Sequence, residues 1–350
     1  MGEEKYGRDM NTVESINIER VLNIPEIRTI IDSVKKIDEK KTLWGVAPVA
    51  PLNFGFDALI LLQKALISSG YIHTILLSNF HAMMTHGLSY SETDIRCNYY
   101  RYYLSNICGL DATFIRGSDF QTRPGYTEDL YSTLKSITIS KIKDSFPVSR
   151  KKDPFLAYKV IYPIMQCIDC YHTDSRIVIS EEGQKKIYRL LEEIKMVIPF
   201  RDNWSYDRTY KETYFFYIPT SHDIMGNPLI VSNAKTRISV HETDESLNKK
   251  VKQIYAPPGK KLEDGKVNAL LEFFKYSVFP WTSKSIRINT INGLVEYEDY
   301  RDLESDYNKE LIAPQDAKDV LYNQLSERLK KIQNEFTMGI THWIDIKRAI

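Results

Sequence analysis

Ile161-Tyr162-Pro163-Ile164-Met165-Gln166-Cys167-Ile168-Asp169 is the stretch on which the reading of this chain turns. Tyr162, Gln166 and Asp169 stand at i, i+4 and i+7, the spacing of one helix face. A phenol, an amide and a carboxylate in line can hydrogen-bond a small polar ligand at both ends. Ile164, Met165 and Ile168 around them are apolar, so the segment reads as mostly buried, where polar groups must find partners. The stretch runs into a C-x-x-C, Cys167-Ile168-Asp169-Cys170. A redox or zinc site and two thiols on a buried helix both fit it. No second Cys or His pair follows at finger spacing, which favours the thiols.

Outward from this helix, strands and helices alternate. Residues 42–47, 73–78, 112–116, 177–179 and 214–218 read as short strands. Helices fall at 56–68, 91–108, 126–145, 157–171 and 183–196, with Gly70 and Gly109 ending the first two. Strands alternating with helices of this length form βαβ units and a parallel sheet with helices on both faces. Residues 1–40 read as a polar helical extension with an apolar stripe at Val21, Ile24, Ile27, Ile30, Ile31 and Val34. Residues 41–225 are the α/β domain and 226–242 a loop region. Residues 243–336 are mainly helical, and 337–350 are a tail. Within 243–336, Thr243 caps a helix that Pro257-Pro258-Gly259 stops, and Asn292-Gly293 turns a hairpin.

Composition narrows the function. The chain has 350 residues, with Lys plus Arg 47 against Asp plus Glu 46, a net charge of +1. A nucleic-acid partner would therefore be held by a local patch rather than a basic face. Four cysteines are too few for a disulfide scaffold, which points to a reducing cytoplasm. No apolar run reaches ~18 residues, so no membrane helix is expected. Neither G-x-G-x-x-G nor G-x-x-x-x-G-K-[ST] is present, and no metal-ligand motif stands out. Tyr99-Tyr100-Arg101-Tyr102-Tyr103 offers stacking rings. On a helix the five surround the axis, which favours core or interface. Lys141, Lys143 and Arg150-Lys151-Lys152 make a local basic segment, either solvated or facing an acceptor stem.

Residues 160–169, with Gln184-Lys185-Lys186-Ile187 beyond them, resemble the tyrosine-binding segment of archaeal and eukaryotic tyrosyl-tRNA synthetases. That family reads Y-P-x-M-Q-x-x-D, then a Gln fifteen residues on, and Gln184 stands fifteen residues after Asp169. Gly117-Ser118-Asp119-Phe120-Gln121, with Tyr126-Thr127 after it, resembles the family's G-S-E-F-Q segment, and His81-Ala82 follows a strand as it does there. Residues 247–259 and Pro314-Gln315-Asp316-Ala317-Lys318 resemble the helix after the second signature loop and the anticodon-binding end. The series is co-linear from about residue 40 to 335. It implies a class I synthetase-type Rossmann fold followed by a mainly α-helical anticodon-binding-like domain.

The resemblance also implies roles. Asp169 would accept the substrate phenol, and Tyr162, Gln166 and Gln184 would hold the amino group. Gln121 and His81 would line the pocket with Leu43 and Gly45. Asp316 would read the first anticodon base. The family's first ATP motif, H-I-G-H, aligns with Asn53-Phe54-Gly55-Phe56, in which only Gly55 matches. Its second, K-M-S-K-S, aligns with residues 229–233, Leu-Ile-Val-Ser-Asn, leaving Lys235 or Arg237 as substitutes. Leu43 and Ala47 stand where the family has a tyrosine and a glutamate. The expectation is a synthetase-like protein with impaired ATP-dependent activation. It would keep an amino-acid pocket and tRNA contacts, as a homodimer or beside a competent partner chain. ATP and Mg would be cofactors only if adenylation is retained. The alternatives are a divergent tyrosine–tRNA ligase, a repurposed enzyme using an amino acid or an aminoacyl-tRNA, and an interaction protein with a vestigial pocket.

Overall fold

The computed structural model describes residues 16–146, 154–194, 212–231 and 233–339. Arg150-Lys151-Lys152, residues 1–15 of the N-terminal extension and 340–350 of the tail lie outside the described residues. Two helices, α1 (Ile18–Leu22) and α2 (Pro25–Val34), lead in. Pro25 opens α2, where its missing N–H would have had no partner. Ile27, Ile30, Ile31 and Val34 form the buried stripe that the sequence predicts.

Then come β1 (Lys41–Val46), α3 (Asp57–Ser68), β2 (Ile72–Leu77), α4 (Asn79–His86), α5 (Tyr90–Tyr102) and β3 (Thr113–Arg116). They are followed by α6 (Pro124–Leu134), α7 (Ile139–Ser145), α8 (Tyr158–His172), β4 (Ile177–Glu181), α9 (Lys185–Tyr188), α10 (Leu191–Ile194) and β5 (Tyr214–Ile218). The strands form one sheet in the order β3-β2-β1-β4-β5, every pair parallel. Strand order reverses between β1 and β4, and in such sheets the ligand crevice opens beyond the carboxyl ends of those two strands. The pleat divides β1 between two cores. Trp44 and Val46 pack with α2, α3 and α5, whereas Leu43 packs with Tyr126, Tyr162 and Ile168 from α6 and α8.

The rest is mainly helical: α11 (Asp244–Gln253), α12 (Ala269–Phe273), the hairpin β6 (Ile286–Thr290) and β7 (Gly293–Tyr297), α13 (Tyr300–Asn308) and α14 (Pro314–Gly339). Gly293 turns the hairpin at φ 104°, a left-handed conformation that favours glycine. At 26 residues α14 spans ~39 Å. Its apolar face, Leu321, Leu325, Leu329, Ile332 and Phe336, is buried. Its polar side chains tie it to the helical part, to the loop before it and, through Arg328, to the α/β domain. Tyr322 and Ser326 donate to Asp244 at 2.7 and 2.9 Å, and Gln333 donates to the Glu242 carbonyl at 2.9 Å. Arg328 donates to both oxygens of Asp57, at 2.6 and 3.1 Å, and to the Ser277 carbonyl at 3.1 Å. Its guanidinium lies 3.5 Å from the Trp281 ring centroid and 4.8 Å from that of Phe54.

The structure refines several predicted helices. The 91–108 helix closes with a wide turn in which Cys108 N–H reaches back five residues to the Tyr103 carbonyl. The 126–145 stretch is two helices, because Thr138 caps a new start by accepting from Lys141 N–H at 3.4 Å. The 183–196 helix is broken into a 3-10 turn, α9 and α10, and its end lies outside the described residues. Asn268 caps α12, which closes with a wide turn at Phe279 N–H. Tyr99, Tyr100 and Tyr103 are fully buried, with Tyr99 and Tyr103 stacked on Phe336, so this run is core. Cys167 and Cys170 are buried free thiols that burial pushes far from ionisation. Among the described residues no cluster of His, Cys, Asp or Glu is arranged to hold a metal ion. No helix among them is long and apolar enough to cross a membrane.

Candidate functional site

The crevice has two sides, one for each face of the sheet. On the Leu43 side, α8 presents Tyr162, Gln166 and Asp169 as its spacing predicts. Tyr162 and Asp169 are each 5% exposed. Asp169 Oδ1 accepts from Gln121 Nε2 and from the Tyr126 hydroxyl, both at 2.8 Å. Gln121 is delivered by the tight turn at Gly117–Asp119. A side chain at Gly117 would run into the Gln121 amide, so glycine is what lets that amide lie flat. Burial pushes the Asp169 carboxyl up to about 7, against the two hydrogen bonds that favour its charge. The same carboxylate and burial drive the Tyr126 phenol upward, so Tyr126 stays a donor.

Leu43, Gly45, His81, Gln166 and Gln184 lie on the same side of the sheet. Leu43 is buried against Tyr126 and Tyr162 as an apolar wall. The His81 ring packs on Tyr162, with centroids 4.5 Å apart. Gln166 donates to Gln184 at 3.2 Å, which ties α8 to the segment after β4. Gly45 is exposed on β1, and Ser78 Oγ is the nearest atom a side chain there would meet, at 4.0 Å. The Asp169 carboxyl and the Gln166–Gln184 amide pair thus lie along one face of α8, beside the apolar Leu43. That arrangement suits a small molecule with a polar tip and a flat apolar body.

On the Trp44 side, Asn53 caps the turn Phe54–Phe56, its Oδ1 accepting from Gly55 N–H at 3.0 Å. Phe56 packs edge-on against Trp44 and Tyr100. Lys235 is exposed on a later turn and makes no polar contact with Asn53 or Gly55 in the structure. Arg237 is buried and donates to the Val231 carbonyl of its own loop. Asp316 stands in the first turn of α14, in the helical part of the chain and apart from both sides.

Several residues at the crevice were not singled out from sequence. Tyr126 lies in a matched segment, and only the fold shows that its hydroxyl reaches Asp169. Glu181, at the carboxyl end of β4, accepts from Ser221 Oγ at 3.3 Å. Burial pushes its carboxyl to about 7. His222 is held by Glu272 twice, through its backbone N–H at 2.9 Å and Nδ1 at 2.7 Å. Burial lowers the imidazole, and the Glu272 carboxylate outweighs that, so its pKa is raised. These residues follow no spacing rule.

A parallel sheet in this order, with a helical half clamped to it, defines a class of protein. The chain belongs to the class I tRNA synthetases for tryptophan and tyrosine, whose family model matches residues 35–330. The tyrosyl members are its relatives along nearly the whole chain. A tyrosine–tRNA ligase of Natronomonas pharaonis is 28% identical over 329 residues, covering 88% of this chain and 90% of that protein. The tyrosyl-tRNA synthetase of Archaeoglobus fulgidus, solved with L-tyrosine, superposes with a TM-score of 0.76 at 20% identity, covering 91% of this chain and 99% of that one. The Aeropyrum pernix tyrosyl-tRNA synthetase gives 0.75 at 20% identity, covering 95% and 97%.

Proposed function

We propose that this tyrosyl-tRNA synthetase-family protein binds tyrosine, or an amino acid like it, through Asp169, and is impaired in activating it with ATP. The observation that carries the reading is the chemistry of the two segments aligned with the family's ATP motifs. Neither Asn53–Phe56 nor residues 229–233 offers an imidazole or a lysine ammonium to a developing phosphate charge. Asn53 accepts from Gly55 N–H through Oδ1 while its Nδ2 lies 3.5 Å from the Pro51 carbonyl, and the half-buried Phe56 ring, which has no donor, packs against the core. Each preorganised donor lost from such a site costs on the order of 10²–10³ in rate. The pocket side keeps its polar groups, which supports retained amino-acid binding. Asp316 at the start of α14 supports retained tRNA contact, since a carboxylate there accepts from a guanine amino edge. We place the protein in the cytoplasm, as a homodimer or beside a competent partner chain.

Thermal unfolding with tyrosine and with tRNA tests this reading. Tyrosine at ~100 times its Kd is expected to add ~2.7 kcal/mol of stability. That gain disappears in Asp169→Ala. tRNA is expected to bind at low salt and to bind more weakly in Asp316→Ala. No stabilisation by any aromatic amino acid, together with no tRNA binding, would contradict it.

A further inference from the structure

The turn Asn53–Phe56 and the loop 221–229 are locked onto each other. A Cβ built on Gly55 would overlap Leu229 Cδ2, and Asn53 Oδ1 lies 2.8 Å from the same point. Glycine is the residue that lets something approach a backbone closely. At Gly55 the thing that approaches is the chain's own leucine. Ser221 Oγ sits 2.5 Å from the Gly55 carbonyl, and Leu229 N–H donates to the Ser221 carbonyl at 2.8 Å. Between them Asp223 accepts from Met225 and Asn227 N–H at 2.9 and 3.0 Å, which tightens the turn. Glu272 anchors His222 from the far side.

We propose that residues 221–229 form a strap that occludes the nucleotide side of the crevice, with Leu229 and Ser221 filling the space over Gly55. The proposal rests on the reading of Asn53–Phe56 as the family's first ATP segment. It deepens that reading by assigning a steric cause to the impairment, separate from the missing donors. Glu272 and Glu181 hold the strap in place, through His222 Nδ1 at 2.7 Å and Ser221 Oγ at 3.3 Å. Ile224 anchors the strap in the main core, and its backbone is tied in by Ile224 N–H donating to the Thr236 carbonyl at 3.0 Å and Tyr255 N–H donating to the Ile224 carbonyl at 2.7 Å. A strap open about one time in a hundred weakens apparent nucleotide affinity about a hundredfold.

Equilibrium titration with ATP tests it, on the wild type, Leu229→Ala and Ser221→Ala/Leu229→Ala. Tyrosine binding and cooperative thermal unfolding report that each variant is folded. The strap predicts ATP affinity at least about tenfold tighter in the double variant than in the wild type. Equal affinity in a folded double variant would overturn it. Hydrogen exchange on the wild type is a second reading that needs no variant. The Leu229 amide is expected to exchange at least about tenfold more slowly than an unprotected loop amide. Exchange at the unprotected rate would overturn the strap. ATP bound tightly by the wild type without amino-acid activation would overturn the strap and leave the proposed function standing, whereas activation by the wild type would overturn the proposed function.

Discussion

Arg328→Ala is expected to destabilise the fold by ~3–5 kcal/mol, because it strands the buried Asp57 carboxyl without its cation. Both side chains of the pair are nearly fully buried, at 6% and 0% exposure. Burial raises the Asp57 pKa even with the guanidinium beside it, so desolvation outweighs the attraction. A pair of that kind holds structure by being complete. Removing both partners, as in Asp57→Ala/Arg328→Met, is expected to cost less than Arg328→Ala alone. Chemical denaturation of the wild type and the two variants measures the difference. The substitution reaches beyond stability, since Arg328 also covers the Phe54 ring and Asp57 follows the Asn53–Phe56 turn. Loosening α14 is therefore expected to loosen the crevice.

Asp169→Asn is expected to change both stability and binding, in opposite directions. The carboxyl ionises near 3.9 when unfolded and at about 7 when folded, a gap of ~4 kcal/mol. Between those values the folded state holds a proton that the unfolded state has released. Stability from this group is therefore complete below pH ~3.9 and falls as pH rises to about 7. Asparagine removes that slope, so the variant is expected to be the more stable form at neutral pH in the absence of ligand. Tyrosine binding moves the other way. A carboxylate accepts the phenol as a charge-assisted bond, and its loss costs about 10–100-fold in affinity. Wild-type affinity is expected to rise as pH passes through about 7, and asparagine flattens that rise. Titrations of tyrosine across pH, paired with unfolding curves, check both signs.

The alternation of short strands and helices is visible in the sequence because each obeys a period. The Tyr162, Gln166 and Asp169 face is visible for the same reason. The buried fate of the tyrosine run is also legible, since five residues surrounding one helix cannot all meet solvent. The strap and the Arg328–Asp57 pair are not legible. Arg328 is one of several charges on α14, and nothing local says that it is the buried one. Ser221 and Leu229 lie in a loop where no period applies, and their meeting with Gly55 depends on how β4, β5 and α12 pack. Helix breaks such as the one at Thr138 depend on single caps inside a stretch of uniformly helical character.

Tyrosine-dependent exchange between ATP and pyrophosphate by the purified protein tests the central claim most directly, because it reads activation without needing the right tRNA. Exchange at or near background is expected with tyrosine saturating. Exchange on the order of 1 per second or faster, the range of ordinary enzymes, would contradict it.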